Sequence, residues 1–171
     1  MKRVLCFVGD VYEDLELWYP KLRLEEEGWK VVLAGPEEGI LYTGKNGYPC
    51  VSDAAIQDME SEDFDALLVP GGFMPDKLRR NPKVLSLVQE FDAAHKPIAH
   101  ICHGGWILIS ANILRGKRAT STPGIKDDMI NAGAEWVDEE VVIDGNQISS
   151  RRPSDLPAFS KAFVELIQAG S

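Results

Sequence analysis

Four short, nearly continuous apolar runs, separated by segments of helical spacing or by a hairpin, constrain this chain more than any other feature of its sequence. They are Val4 to Val8, Val31 to Ala34, Asp65 to Pro70 and Pro97 to Ile101. Runs that are apolar throughout, rather than alternating, mark strands buried on both faces of a parallel sheet. After the first run Leu15, Trp18, Tyr19 and Leu22 recur at helical spacing. Lys21, Arg23 and Glu25 to Glu27 fall on the other faces, and Gly28 stops the helix. Ile40 to Val51, broken by Gly44-Lys45-Asn46-Gly47, reads as a hairpin. Val84, Leu87, Val88 and Phe91 mark another helix, a short one runs from about Gly104 to Ala111, and Leu156, Phe159, Phe163, Leu166 and Ile167 stripe the last. Strands alternating with helices demand right-handed crossovers and a sheet covered on both faces. With no long linker, repeat or low-complexity stretch, residues 1–171 read as one three-layer α/β sandwich.

Charge narrows the class of partner. The chain carries a net charge of -9, so a phosphate surface repels it and neither nucleic acid nor anionic membrane is an expected partner. No apolar run approaches the roughly 20 residues that span a bilayer. Met1-Lys2-Arg3 followed by Val4-Leu5-Cys6 could open a signal peptide, but Asp10, Glu13 and Asp14 close it early, and a first strand is the better reading. Three cysteines, an odd number, fit reduced thiols in a cytoplasmic protein. They and the three histidines show no metal-ligand spacing, so neither metal nor cofactor is expected.

In open α/β sheets the chemistry gathers outside the carboxyl ends of the strands. One such end is Ile101-Cys102-His103-Gly104-Gly105, where a buried strand turns at once into a helix, as in a nucleophile elbow. A helix starting at His103 would aim free N–H groups at the Cys102 sulfur and lower its pKa below the usual roughly 8.5. A buried structural cysteine is the other reading of the same residue, and the one favoured for Cys6 and Cys50. His103 is the natural group to exchange a proton with the sulfur, although adjacent side chains usually point apart. His100 reads as structural and His95 as exposed. A second strand end carries Gly71-Gly72, whose N–H groups could face an oxyanion formed when Cys102 attacks a carbonyl.

Taken with their neighbours, these segments resemble the PfpI-type intracellular proteases of the wider DJ/ThiJ superfamily, in the same order from about residue 3 to 167. The matching stretches are Tyr12 to Pro20, Asp65 to Gly72, Lys96 to Gly104 and Ser121 to Asp138. The resemblance implies a flavodoxin-like sandwich, Cys102 as nucleophile, His103 as its acid/base neighbour, and an oxyanion hole from the N–H groups of Gly72 and His103. It implies further that the Glu16 carboxyl meets the sulfur, where two adjacent anions would repel and keep it protonated. It implies a homo-oligomer, a dimer that can assemble further to a hexamer, in which a neighbouring subunit supplies an acidic residue to the site. The matching position is Asp76, an aspartate where the family has a glutamate one methylene longer. Phe73 and Met74 beside it read as contact surface, and Arg79 and Arg80 read equally as charge-pairing partners across that contact or as a solvated helix face. Thr122 stands where the family often has a tyrosine.

Two functions of different classes follow. One is an enzyme attacking a small carbonyl, peptide or protein substrate through Cys102, as a peptidase or as a deglycase or glyoxalase. The other is a redox-responsive stress protein whose Cys102 is oxidised without turnover. A flavodoxin-type cofactor binder fits poorly, because Gly9-Asp10-Val11 offers no Gly-rich phosphate loop.

Overall fold

In the computed structural model, which describes residues 1–170, strands β1 (Arg3–Phe7), β2 (Lys30–Gly35), β6 (Ala66–Val69), β7 (Ile98–Ile101) and β11 (Gln147–Ser150) form the parallel body of a seven-stranded sheet. Their spatial order is β2-β1-β6-β7-β11, with the two-residue β5 (Ala54–Ala55) on one edge and β10 (Val142–Asp144), antiparallel to β11, on the other. β6 and β7 are buried at every residue, which is why their sequences are apolar without alternation. The expected hairpin is present as β3 (Leu41–Thr43) against β4 (Pro49–Val51), and β8 (Arg118–Ala119) pairs with β9 (Glu135–Trp136) apart from the main sheet. Residues 112 to 155, which carry β8 to β11, had no strand expectation, because their strands are only two to four residues long and bear no apolar run.

From β1 the chain moves outward through α1 (Asp14–Glu26) to β2, then returns to place β6 on the other side of β1. From there α3 (Pro82–Ala93) leads to β7. Right-handed crossovers in opposite directions put α1 and α3 on opposite faces. Accordingly α1 packs with α6 (Leu156–Ala169), whereas α3 packs with α4 (Gly105–Ser110), against which α2 (Met74–Leu78) and α5 (Lys126–Asn131) also lie. The reversal between β1 and β6 opens a crevice where the loops after the two strands part, the place where such folds bind ligands.

Two expectations about faces need correction. Of the stripe Leu15, Trp18, Tyr19 and Leu22 on α1, all but the half-buried Trp18 point outward, Leu15 being 56% and Leu22 53% exposed, while Asp14, Glu16, Leu17, Pro20 and Leu24 are the buried residues. The Phe73-Met74 pair is not a joint contact surface. Phe73 is 62% exposed, but Met74 is 1% exposed and packs beside Gly9 in the core.

Candidate active site

The crevice is built from three loop ends. The chain leaving β7 makes a tight 3₁₀ turn, Cys102–Gly104, and continues as α4. Cys102 adopts φ 61°, a left-handed conformation that a cysteine rarely takes and that lifts its side chain above the sheet. It is the only partly exposed cysteine; Cys6 and Cys50 are buried, and burial pushes both thiols up, Cys50 to about 11. Val11, in the loop after β1, is likewise left-handed at φ 60°, an unusual strain for a β-branched residue. Its carbonyl accepts the Phe73 N–H at 2.8 Å, and its N–H donates to Thr43 O at 2.9 Å. One strained residue therefore ties the β1 loop to the Gly71-Gly72 loop and to the hairpin.

His103 brings Nδ1 to 3.4 Å from Cys102 Sγ, so the adjacent side chains do converge. Burial, and to a lesser degree the Lys45 ammonium, lower the imidazole pKa and keep the ring neutral, the form that can accept a proton. Glu16 is fully buried, with Oε1 accepting the Gly71 N–H at 2.9 Å and Oε2 unpartnered. The Cys102 thiol lies against this carboxyl. Burial, with Glu13 adding to it, raises Glu16 to about 8, so it carries a proton at neutral pH. Glu13 does not compete for that place, because it caps α1 by accepting the Glu16 N–H at 2.9 Å.

The expected low thiol pKa is overturned. Burial first, and the Glu16 carboxyl second, push Cys102 up to about 12, against the lowering influence of the His103 N–H, Thr122 and Lys45. The reason is geometric: a three-residue 3₁₀ turn offers the sulfur one well-placed N–H rather than the dipole of a long helix, and desolvation outweighs it. Sulfur and carboxyl in contact cannot both ionise, so the pair keeps at least one proton through neutrality.

Gly71 and Gly72 have separate reasons to be glycine. A Cβ on Gly71 would press on the Glu16 carboxyl and sit 2.9 Å from Cys102 Cβ. Gly72 has φ 84°, and a Cβ there would overlap the Val11 carbonyl. The Gly72 N–H makes no hydrogen bond among the described residues, so it stays free to meet a ligand oxygen near the sulfur.

Asp76 stands apart from this cluster. It lies on α2, bonded to Arg80 of the same chain at 2.8 Å, and it meets no His103 within the chain. Arg80 is therefore paired locally, and Arg79 donates to Ser110 Oγ at 2.8 Å. His100 is fully buried with both ring nitrogens unpartnered and its pKa pushed down to about 4 by burial, and His95 is exposed. Thr122, at the position where the family often has a tyrosine, and Lys45, which no sequence signal assigned, both border the site. Thr122 donates its N–H to the Cys102 carbonyl at 3.3 Å and lowers the thiol pKa, and Lys45, in the hairpin turn, lies within electrostatic reach of Cys102, Glu16 and His103. A cation in a Gly-flanked turn was the one available signal for Lys45.

A doubly wound α/β sheet with a strained cysteine at a strand end, an adjacent histidine and a buried protonated carboxyl defines a class of cysteine-nucleophile proteins. The chain belongs to the DJ-1/PfpI family, whose signature matches residues 2–166. A deglycase of Pyrococcus abyssi is 51% identical over 97% of this chain and 99% of its own length. Deglycase PfpI of Pyrococcus furiosus is 46% identical over the same shares. Among solved structures, a two-domain protein of Anabaena variabilis with DJ-1/ThiJ/PfpI-like and ferritin-like domains superposes with a TM-score of 0.95 at 40% identity. That match covers 96% of this chain and 48% of the other.

Proposed function

We propose that the protein is a cysteine-dependent hydrolase acting at a carbonyl carbon, with early glycation adducts or the dicarbonyls that form them as substrates. The observation that carries this reading is Cys102, held at φ 61° with a neutral imidazole nitrogen 3.4 Å from its sulfur and a protonated carboxyl against it. In the first step the S–H proton passes to His103 Nδ1 as the sulfur–carbon bond forms. The carbonyl π pair moves to oxygen, where the Gly72 and His103 N–H groups would receive the charge. His103 then returns its proton to the oxygen or to the departing amine or thiol, and water attacking the Cys102-bound carbon, its proton taken by His103 and passed to sulfur, breaks the sulfur–carbon bond and restores the thiol. A raised thiol pKa suits this order, because the proton leaves only when a carbonyl is in place to accept the sulfur. Relatives 46–51% identical named as deglycases favour glycation adducts over peptide bonds.

The same reading takes the active form as a homo-oligomer in a cytoplasmic setting. Within its own chain Asp76 bonds Arg80 rather than His103, which fits a role in orienting His103 from another copy. The exposed Phe73 and the outward stripe on α1 are apolar surface suited to self-association.

The deciding experiment sets the purified protein beside its Cys102→Ala variant against methylglyoxal, a glycated amine and an unfolded protein. Cys102-dependent turnover of the first two is the expected result. Turnover of the unfolded protein alone would establish a peptidase, and turnover of none would favour the redox role. Mixing inactive Cys102→Ala and Asp76→Ala chains should restore part of the activity; a mixture that stays inactive despite demonstrated subunit exchange removes Asp76 from the mechanism.

A further inference from the structure

The imidazole of His103 is hydrogen-bonded on one side only. Nδ1 meets Cys102 Sγ at 3.4 Å, and Nε2 has no partner among the described residues. A single contact of that length leaves the ring free to turn about a torsion that is intrinsically broad. What restrains it is Trp106, three residues further along the same helical path, where side chains share a face. The two rings lie with centroids 4.9 Å apart and planes at 56°. The indole is itself fixed from two further elements. Its Nε1 donates to Asp128 Oδ2 on α5 at 3.1 Å, and the Arg79 guanidinium, anchored on Ser110, sits 5.5 Å from its ring.

We propose that Trp106 is a positioning residue that holds the His103 ring with Nδ1 aimed at the cysteine sulfur, Asp128 in turn fixing the indole. This inference rests on Cys102 and His103 being the proton-exchanging pair. Two consequences separate positioning from mere structural support. Without the indole, His103 samples rotamers in which Nδ1 points away from sulfur, which lowers kcat and leaves KM nearly alone. Water also reaches the ring, so the burial that depresses its pKa is relieved and the acidic limb of the pH–rate profile moves to higher pH. The titratable and charged groups facing the ring and its support are Cys102, Glu16 from α1, Lys45 from the hairpin, Arg79 following α2 and Asp128 from α5; of these Lys45 lowers the imidazole pKa, second to burial.

The test compares Trp106→Ala, Trp106→Phe and Asp128→Ala in methylglyoxal turnover from about pH 5 to 9, with histidine side-chain NMR on the same samples. The rate of Cys102 alkylation by iodoacetamide at neutral pH, which also draws on His103 as proton acceptor, gives a readout independent of turnover. Trp106→Ala should lower kcat on the order of tenfold, a part of the roughly 10²–10⁴ that proton transfer contributes. It should also raise the acidic midpoint, slow neutral alkylation and give His103 signals of more than one conformer. Trp106→Phe should recover most of the loss, because the ring contact survives. Asp128→Ala, at an exposed residue and with no acceptor left for the indole, should lower kcat and slow alkylation in the same sense by less, and it carries the test if Trp106→Ala does not fold. Unchanged kcat, limb and alkylation in Trp106→Ala, or unchanged kcat and alkylation in Asp128→Ala in its place, would overturn the proposal. So would a Trp106→Phe variant as impaired as Trp106→Ala. Turnover surviving in Cys102→Ala defeats the underlying reading instead, whereas an inert Cys102→Ala beside an unaltered Trp106→Ala defeats this inference alone.

Discussion

Helices α1 and α6 pack against each other in one layer, yet they bury opposite kinds of face. α6 turns its apolar stripe inward, so Leu156, Phe159, Phe163, Val164 and Ile167 are all buried. α1 exposes Leu15 and Leu22 and buries Glu16. The difference lies in what each helix starts from. α6 is preceded by Asp155, whose carboxylate is taken up by the Arg151 guanidinium at 3.0 Å. α1 begins where the loop after β1 enters the crevice. There Asp14 accepts the Asn46 and Tyr48 N–H groups of the hairpin at 2.8 Å, and Glu16 accepts the Gly71 N–H. Neighbouring residues on a helix point about 100° apart, so turning Leu15 inward would swing Glu16 away from the sulfur. Apolar periodicity thus reports packing where nothing else fixes a helix's rotation, and it misleads where a site does.

The comparison can be broken most forcefully at α6. Phe163→Ala should cost about 3–5 kcal/mol, as expected for deleting a fully buried aromatic ring, without changing kcat in the molecules that remain folded. Denaturant unfolding beside turnover measures both. A kcat loss at full folding would mean that α6 shapes the site after all.

Glu16→Gln should act in the opposite sense. The folded-state pKa of Glu16 is raised to about 8, so between its ordinary range and about 8 the native state holds more protons than the unfolded one. Stability of the parent therefore falls as pH rises through that window. The Gln variant lacks this slope and should gain on the parent by on the order of a few kcal/mol from pH 5 to 8, while losing most activity. Removing the carboxylate also removes its upward push on Cys102, so the rise of iodoacetamide alkylation with pH should begin lower than in the parent. Parallel stability curves for the two proteins would show that Glu16 titrates as an ordinary carboxylate.

Leu22→Ser on the outward stripe of α1 carries the smallest expected effect. On an isolated chain it should stay within about 0.5 kcal/mol, as surface substitutions do. A larger loss that depends on protein concentration, together with a smaller sedimenting species, would place this face inside the proposed oligomer.

Much of the site was legible because its signals are local. A buried strand running into Cys102-His103-Gly104-Gly105 and another running into Gly71-Gly72 put both loops at strand ends, where the sheet brings them together. The resemblance supplied Glu16, which no spacing rule would choose over Glu13. The resemblance also marked Thr122, whereas Lys45 escaped because it acts on the sulfur only electrostatically, from a hairpin turn 57 residues away in sequence.

By itself the sequence determined the alternation of strands and helices, the parallel sheet and the position of the nucleophile, because burial on both faces and tight strand–helix turns demand particular residues locally. Only the tertiary structure decided which face α1 buries, that Met74 is core while Phe73 is surface, and that the Cys102 thiol is raised rather than lowered. Each of these is a balance between desolvation and partners supplied by distant segments. Glu16, Thr122, Lys45 and the Gly71 loop meet the sulfur only after the sheet has closed, and no local window of residues contains that sum.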